Sequence, residues 1–438
     1  MVTIEPVMRI PRPVAIAAVL LALLPLMLAA PALAGSGWLY GLGRATGIAG
    51  MTCFLLAAIL SVRIPGVDPW LGGLTTVWRL HHLLGAAAFL LLMAHPLLLA
   101  LSAAALSPRA VGMMLWPPLD DYAVWAGWVA LAAMMVFLAP SFGFFGPPRY
   151  QRWKRLHLLS GLALVLGVAH TLTLGRAITG AGGALLWGGL GVLAVAVFVY
   201  RAVLSNWIGP YRYRVANVSP LARGVVELTL SPESTPLHHR AGQFAYLRHF
   251  DPEVRPGFNE EHPYTLSSSP REDNVRIGIK ALGDSSAAAA RLHPGALVTL
   301  DGPYGRFFPP EAGDKAPQLW VGGGIGITPF VSRARDLGIR KPDCDVVLVY
   351  CANRPERGYY GQELQDIAAS VPGFDVHIHY FNERELLDLD YLREVCRDLE
   401  RRTVFVCGPA PMTGHVIRLM DRAGVPRHRI HTEVFDLL

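Results

Sequence analysis

Apolar residues crowd the first 205 or so positions of this chain and then thin out, and changes of period divide what remains. Six runs, 14–34, 45–62, 80–101, 122–138, 156–174 and 184–200, each come close to the length that a helix needs to cross a bilayer core. From position 211 the pattern shortens to alternating strands broken by turn residues, YRYRVANVSPLARGVVELTL, which predicts an antiparallel β-barrel. After position 310 come the buried strands QLWVGGG, DVVLVYCANR and TVFVCGP with helical stretches between them, and that alternation predicts a parallel α/β sheet. The expected architecture is a multi-domain membrane protein: a six-helix all-α transmembrane bundle over 1–207, a β-barrel over 208–312 and an α/β nucleotide-binding domain over 313–438. The first run follows Arg9 and Arg12 as a signal peptide would, but its length and the lack of a small-residue cleavage site predict a retained helix.

Within the third run, RLHHLLGAAAFLLLMAH places His81 and His82 at one end and His95 at the other. A polar ring in lipid is costly unless it is used, so intramembrane histidines are candidate metal ligands or proton relays. On a straight helix His81 and His95 are about 40° apart in azimuth and about 21 Å apart in depth, whereas His82 turns to nearly the opposite face. The fifth run repeats the arrangement in LHLLSGLALVLGVAHT with His157 and His170. Two such helices can hold two stacked metal centres, with His81 paired to His157 and His95 to His170. Thirteen positions do not bring His157 and His170 to one face of an ideal helix, so tilt or curvature is expected there. The competing reading of each histidine alone is an interhelical hydrogen-bond partner.

Charge adds orientation. The net charge of +6 would suit nucleic acid, but the basic residues sit mostly in short loops between apolar runs. Arg63, Arg79, Arg149, Arg152, Lys154, Arg155 and Arg201 fall on one side and only Arg44, Arg109 and Arg176 on the other, which predicts a cytoplasmic N-terminus. At 52% hydrophobic residues the chain is too apolar for a soluble enzyme. Five cysteines with no CxxC pair and no metal-site spacing indicate neither a disulfide framework nor an iron–sulfur cluster, and suit a reduced cytoplasmic part.

Four further segments carry chemistry. EHPYTLSSSP (261–270) follows AGQFAYLR and precedes IKALGDSS and DGPYGRF; GGGIGITP (322–329) lies between a strand and a helix, where exposed amides stabilise a pyrophosphate; CGPAPM (407–412) ends a later strand; and HTEVFDLL closes the chain. Together with the four histidines, these segments resemble the ferric reductase and NADPH oxidase superfamily along essentially the whole chain. The resemblance implies FAD on the barrel, NADPH or NADH on the α/β domain and two b-type haems on His81, His95, His157 and His170. It assigns the flavin to His262, Pro263, Tyr264, Thr265, Ser267 and Ser268, with Tyr264 as an aromatic plate and Thr265 as a hydrogen-bonding hydroxyl. Lys280, Gly283, Gly302 and Gly305 belong to its pyrophosphate and barrel-closing segments. The resemblance further implies that Gly323, Gly324, Gly326, Thr328 and Pro329 form the nicotinamide-side loop, that Cys407, Gly408 and Pro409 flank the hydride path, and that Phe435 covers the flavin face with Glu433 nearby. Arg354 and Arg357 follow the second strand of the nucleotide domain with no acidic residue at its end, which favours NADPH.

The expected function is electron transfer across a bacterial-type inner membrane. Electrons from cytoplasmic NADPH pass through FAD and the haems to a small-molecule acceptor outside, a ferric chelate or O2. A quinone or periplasmic redox partner is the alternative, and a haem-free scaffold or transporter with a vestigial flavoprotein tail is the alternative of another class. Arg44 resembles an arginine that the oxidases place near the outer haem, while Leu99 stands where they often carry a further histidine. Nucleic acid is not an expected partner, and the oligomeric state stays open.

Overall fold

The computed structural model describes residues 12–64, 66, 71–141, 150–206, 208–309, 312–383 and 386–433. They form two compact units that divide between Ile208 and Gly209.

The first unit is helical: α1 (Arg12–Ala34), α2 (Trp38–Leu60), α3 (Leu74–Ala104), α4 (Pro108–Leu115), α5 (Tyr122–Leu138), α6 (Tyr150–His157), α7 (Leu159–His170) and α8 (Arg176–Ala202). Among the described residues five stretches are long and apolar enough to cross a membrane: Ile16–Ala34, Trp38–Leu60, Leu74–Ala104, Tyr122–Ser141 and Trp153–Ala202. Large apolar side chains such as Leu90, Leu185 and Val192 face outward, as lipid contact permits. The loop expected between the fifth and sixth runs is absent. Helix α7 passes through a π-helical turn, Thr171–Gly175, directly into α8, and the chain reverses at Gly180 with φ 63° and ψ −164°, where a side chain would be strained. The two limbs then run antiparallel, with Phe198 against Gly161 and Val168 against Gly191.

Small residues set the helix contacts. Gly43, Gly47 and Gly50 of α2 press on Leu99, His95 and Leu92 of α3, each so closely that a β-carbon would come within 2.9 Å of them. Helix α4 lies outside the six expected runs. Its start is nonetheless written locally: Ser107 accepts from the Ala110 amide at 3.1 Å and Pro108 takes the first turn.

The second unit opens with β1 (Tyr211–Ala222), β2 (Val225–Pro232), β3 (Phe244–His249), β4 (His262–Thr265), β5 (Val275–Lys280), the short helix α9 (Asp284–Ala288) and β6 (Leu297–Tyr304). These strands make an antiparallel sheet in the order β4-β3-β6-β1-β2-β5, and a bridge from Leu266 to Ile277 curls its two ends toward each other. There follow β7 (Gln318–Gly323), α10 (Thr328–Arg340), β8 (Val346–Ala352), α11 (Gly361–Ser370), β9 (Phe374–Tyr380), α12 (Leu389–Val395), β10 (Thr403–Cys407), α13 (Ala410–Arg422) and β11 (Ile430–Glu433). They form a parallel sheet in the order β11-β10-β7-β8-β9. Strands β7 and β8 are buried along their whole length, which is why they read as continuous apolar runs. The strand order reverses between β7 and β10, and the carboxyl ends of such a pair form the crevice where α/β sheets bind ligands.

Candidate functional site

In the first unit the four histidines come together as two pairs. The ring centroids of His81 and His157 are 6.3 Å apart, and so are those of His95 and His170. Three of the rings are fixed from behind. Nδ1 of His81 donates to the Ala57 carbonyl at 2.7 Å, that of His95 to Gly43 at 2.7 Å and that of His170 to Ala123 at 2.8 Å. A carbonyl only accepts, so these rings carry their proton on Nδ1 and present Nε2 as a bare lone pair, the form that ligates a metal. His157 has no such partner; its ring lies between Phe137 and Trp153 at 5.0 and 4.9 Å, with Nδ1 buried and unpaired. His82 is exposed, so helical phase sends the two neighbours different ways.

The mismatch of thirteen positions has a local remedy. At the junction of α6 and α7, Leu158 and Gly161 donate to Arg155 and Leu158, three residues back, at 3.3 and 3.1 Å. Such tightening adds up to about 20° per residue, so thirteen residues approach the rotation of fourteen. Overwinding thus accounts for part of the phase that tilt or curvature was expected to supply.

Two imidazoles on opposite sides of one metal, with bonds of about 2.0 Å and about 1.1 Å from nitrogen to centroid, stand about 6 Å apart, which both pairs meet. Among the described residues no group of three or more His, Cys, Asp and Glu is placed to hold a metal ion. Each pair thus offers a metal ion two imidazoles and no third side chain of these types among the described residues. Beside His95 and His170 lies a largely apolar cavity of about 470 Å³, lined also by Arg44, Met51, Met134 and Trp187. Arg44 sits 5.4 Å from the Tyr40 ring centroid and donates Nη1 to Ala32 at 3.5 Å, but its Nε is buried without a partner, as is the Trp187 indole nitrogen. Buried donors are seldom left so, and two in one cavity call for a bound acceptor. Gly47 and Gly127 seat the His95 and His170 rings, since a β-carbon there would lie 2.6 and 2.7 Å from Nδ1. The sequence reading missed Gly47, Gly127 and Trp187; small residues four apart in GLGRATG were the available signal for the first.

In the second unit β4 carries His262, Pro263, Tyr264 and Thr265. Burial pushes the Tyr264 phenol up to about 12. The hydroxyls of Thr265 and Ser268 are buried without partners, available to a bound ring. Ser267 is engaged elsewhere, donating to Glu227 at 2.8 Å. Lys280 ends β5, and Gly283 precedes α9 with open space beside it and its amide on Ser286 Oγ at 2.9 Å. Gly302 and Gly305 admit protein neighbours: β-carbons there would lie 3.0 Å from Ala245 and 3.1 Å from Phe244.

The loop glycines after β7 divide in the same way. Gly324, with φ 56°, has open space beside it, whereas a β-carbon at Gly326 would lie 2.6 Å from Gly408 Cα and one at Gly323 2.3 Å from Met412 Sδ. Gly323, Gly326 and Gly408 thus pack the loops after β7 and β10 together, and Gly324 leaves backbone open near the start of α10. Thr328 and Pro329 begin that helix, the threonine donating to Ile325 at 2.9 Å, and Pro409 precedes α13.

Cys407 stands opposite Glu433 in the parallel register. Burial, then the neighbouring carboxylate, pushes the Cys407 thiol well up, so it is no nucleophile at neutral pH. Burial pushes the Glu433 carboxyl up to about 8; Glu433 is part-exposed as a residue, but its Oε2 is sealed from solvent and unpaired. A protonated carboxyl and a thiol therefore adjoin at the sheet's crevice. Arg354 and Arg357 follow β8 and are exposed. Phe435 lies outside the described residues. A cavity of about 410 Å³ in this unit adjoins His239, Arg271, Phe308 and Arg333 and touches none of the expected cofactor residues.

Three protein families match this chain: the ferric reductase like transmembrane component over residues 46–168, an FAD-binding domain over 211–307 and an oxidoreductase NAD-binding domain over 320–417. A flavohemoprotein of Xylella fastidiosa is 27% identical over 244 residues, 53% of this chain and 60% of that protein. The glycine betaine monooxygenase reductase subunit of Pseudomonas aeruginosa is 33% identical over 189 residues, 39% of this chain and 50% of that protein. The chain thus spans 50–60% of the length of these curated relatives. Among solved structures, flavohemoglobin from Malassezia yamatoensis with bound FAD and heme aligns with a TM-score of 0.47 and 19% identity, over 75% of this chain and 88% of that one.

The loop geometry predicts unequal costs for two alanines. Gly326→Ala must push the loops after β7 and β10 apart and should destabilise the second unit by about 1–3 kcal/mol, whereas Gly324→Ala meets only its positive φ, at about 1 kcal/mol. Urea unfolding measures both, and equal costs would remove the distinction. Glu433 binds its proton more tightly folded than unfolded, so stability should fall as pH rises from about 4.5 through about 8. In Glu433→Gln that slope should flatten in pH-dependent melts.

Proposed function

We propose transmembrane electron transfer as the function of a chain that belongs to the ferric reductase and NADPH oxidase superfamily, a ferric reductase transmembrane component fused to FAD-binding and NAD-binding oxidoreductase domains. It is an NAD(P)H-dependent flavin oxidoreductase of the ferric reductase type. In this reading the parallel sheet would hold NADPH, the antiparallel sheet FAD and the helical unit two b-type haems, which together would supply electrons to a ferric chelate or O2. The observation that carries this reading is the pair of equal ring separations, 6.3 Å at each end, with Nε2 left free on three rings fixed from behind.

When bound, flavin accepts a hydride and releases electrons singly, and haem iron passes single electrons onward. His81 with His157 and His95 with His170 would hold the two haems, and an iron held by imidazole on both sides would favour outer-sphere transfer over oxygen activation. The orphaned donors of Arg44 and Trp187 suit a propionate or an anionic acceptor in the cavity. Tyr264 offers the flavin an aromatic face, Thr265 and Ser268 offer it hydroxyls, and the backbone at Gly324 is open to a pyrophosphate. Arg354 and Arg357 suit a 2′-phosphate and hence NADPH. Counting the reversal at Gly180 as a sixth crossing returns the chain to the side of Arg63, Arg79, Lys154, Arg155 and Arg201. By charge that side is the cytoplasm, and the membrane is the inner membrane of a bacterial-type cell.

Purified protein given NADPH without oxygen should develop the bands of reduced low-spin bis-imidazole haem; a spectrum without them ends this reading. His81→Ala should lose one haem and its electron flow while His82→Ala keeps both, and the reverse would reassign the ligand. Superoxide dismutase should suppress cytochrome reduction if O2 is the acceptor and leave ferric chelate reduction intact if iron is.

A further inference from the structure

A buried guanidinium links the two sheets of the second unit. Arg335, two turns into α10, is 6% exposed, and all five of its N–H groups are engaged. Nε and Nη2 donate to Glu363 of α11 at 2.7 and 2.9 Å, Nη1 and Nη2 to Glu227 of β2 at 3.0 and 3.2 Å, and Nη1 to the Ser267 carbonyl at 2.9 Å. Glu227 also accepts from the Ser267 hydroxyl at 2.8 Å and the Tyr360 hydroxyl at 3.0 Å, and Arg276 stands 3.9 Å away. Burial opposes its charge, but Arg335 and these donors outweigh burial and hold the carboxyl below its ordinary value. None of Arg335, Glu227, Tyr360 and Gly278 is among the groups expected to touch a cofactor.

Beside this cluster the antiparallel sheet comes up against the nucleotide loop. A β-carbon at Gly278 of β5 would fall 2.6 Å from the Tyr360 hydroxyl, 2.9 Å from Thr328 Cγ2 and 3.5 Å from Ile325 Cδ1. A buried ion pair is weak evidence of stability, because desolvation offsets its attraction. Its planar fork does fix direction, since only one arrangement satisfies all five donors. One side of the cluster grips Ser267, two residues past Thr265; the other rides on the helix that begins at Thr328, where the glycine loop ends.

We infer that Arg335, Glu227, Tyr360 and Gly278 are positioning residues for hydride transfer, setting the distance between a nicotinamide on the 322–327 loop and a flavin on β4; this rests on the flavin and nicotinamide reading above. In that transfer a hydride leaves NADPH with its bonding pair and joins FAD, so NADPH is oxidised and FAD reduced by two electrons. Such a step is steeply sensitive to misplacement, about 10²-fold for about 1 Å.

The test uses the full-length holoprotein and follows flavin absorbance on rapid mixing with NADPH. If the wild type is not reduced at all, the electron-transfer reading itself fails; the variants address positioning alone. Gly278→Ala should slow reduction about tenfold or more, with FAD content unchanged and NADPH half-saturation within about threefold. Glu227→Gln should slow reduction and raise amide hydrogen exchange in 265–269 and 324–330 together, leaving the far strand β9 unchanged. Rates within about twofold of wild type in Gly278→Ala or Glu227→Gln overturn the inference. FAD loss from both Gly278→Ala and Glu227→Gln also overturns it, because the cluster would then belong to the flavin cradle.

Discussion

An imidazole buried in an apolar bundle needs a partner for at least one nitrogen, and three of the four paired rings in the first unit find it on a neighbouring helix. The carbonyls that accept from His81, His95 and His170 belong to neighbouring helices, Ala57 and Gly43 on α2 and Ala123 on α5. A helical carbonyl has a second lone pair to offer, but a ring reaches it only if the helices nearly touch. Glycine at 47 and 127 permits that approach, where an alanine methyl would strike the ring. Close packing, tautomer and ligand direction are therefore one constraint seen at three scales.

The second unit meets a comparable demand with charge. Its antiparallel and parallel sheets have separate apolar cores, one around Leu228 and Ile277 and one around Phe330 and Leu348. A greasy contact between them would permit sliding. A guanidinium with every donor engaged does not, and it lies beside Gly278, where the sheet comes closest to Thr328 and Ile325.

Much of this was legible in the chain because period reports burial directly. The apolar runs, the alternating strands and the continuously buried β7 and β8 all follow from which faces are covered. Glycines were harder. A glycine shows that a methyl is missing but not what fills its place: Gly302, Gly305, Gly323 and Gly326, expected at cofactors, make room for protein, while Gly324 keeps open space. Ser267 and Ser268 differ for a similar reason, since nothing local reveals that Glu227, forty positions earlier, engages the first hydroxyl and not the second. The expected loop before the last helix failed because Gly180 reverses the chain within a helical run. Helix α4, capped by Ser107, has only 8 residues and so leaves no apolar run of bilayer length.

That reversal has a mechanical side. A loop of several residues would let two helices slide past each other along their axes. A one-residue turn has no slack, so α7 and α8 can shift only as a single lever, with Gly161 against Phe198 and Gly191 against Val168 as its internal pins. The level of His170 at the end of α7 is thereby tied to that of the far end of α8 near Arg201, where the chain leaves the helical unit.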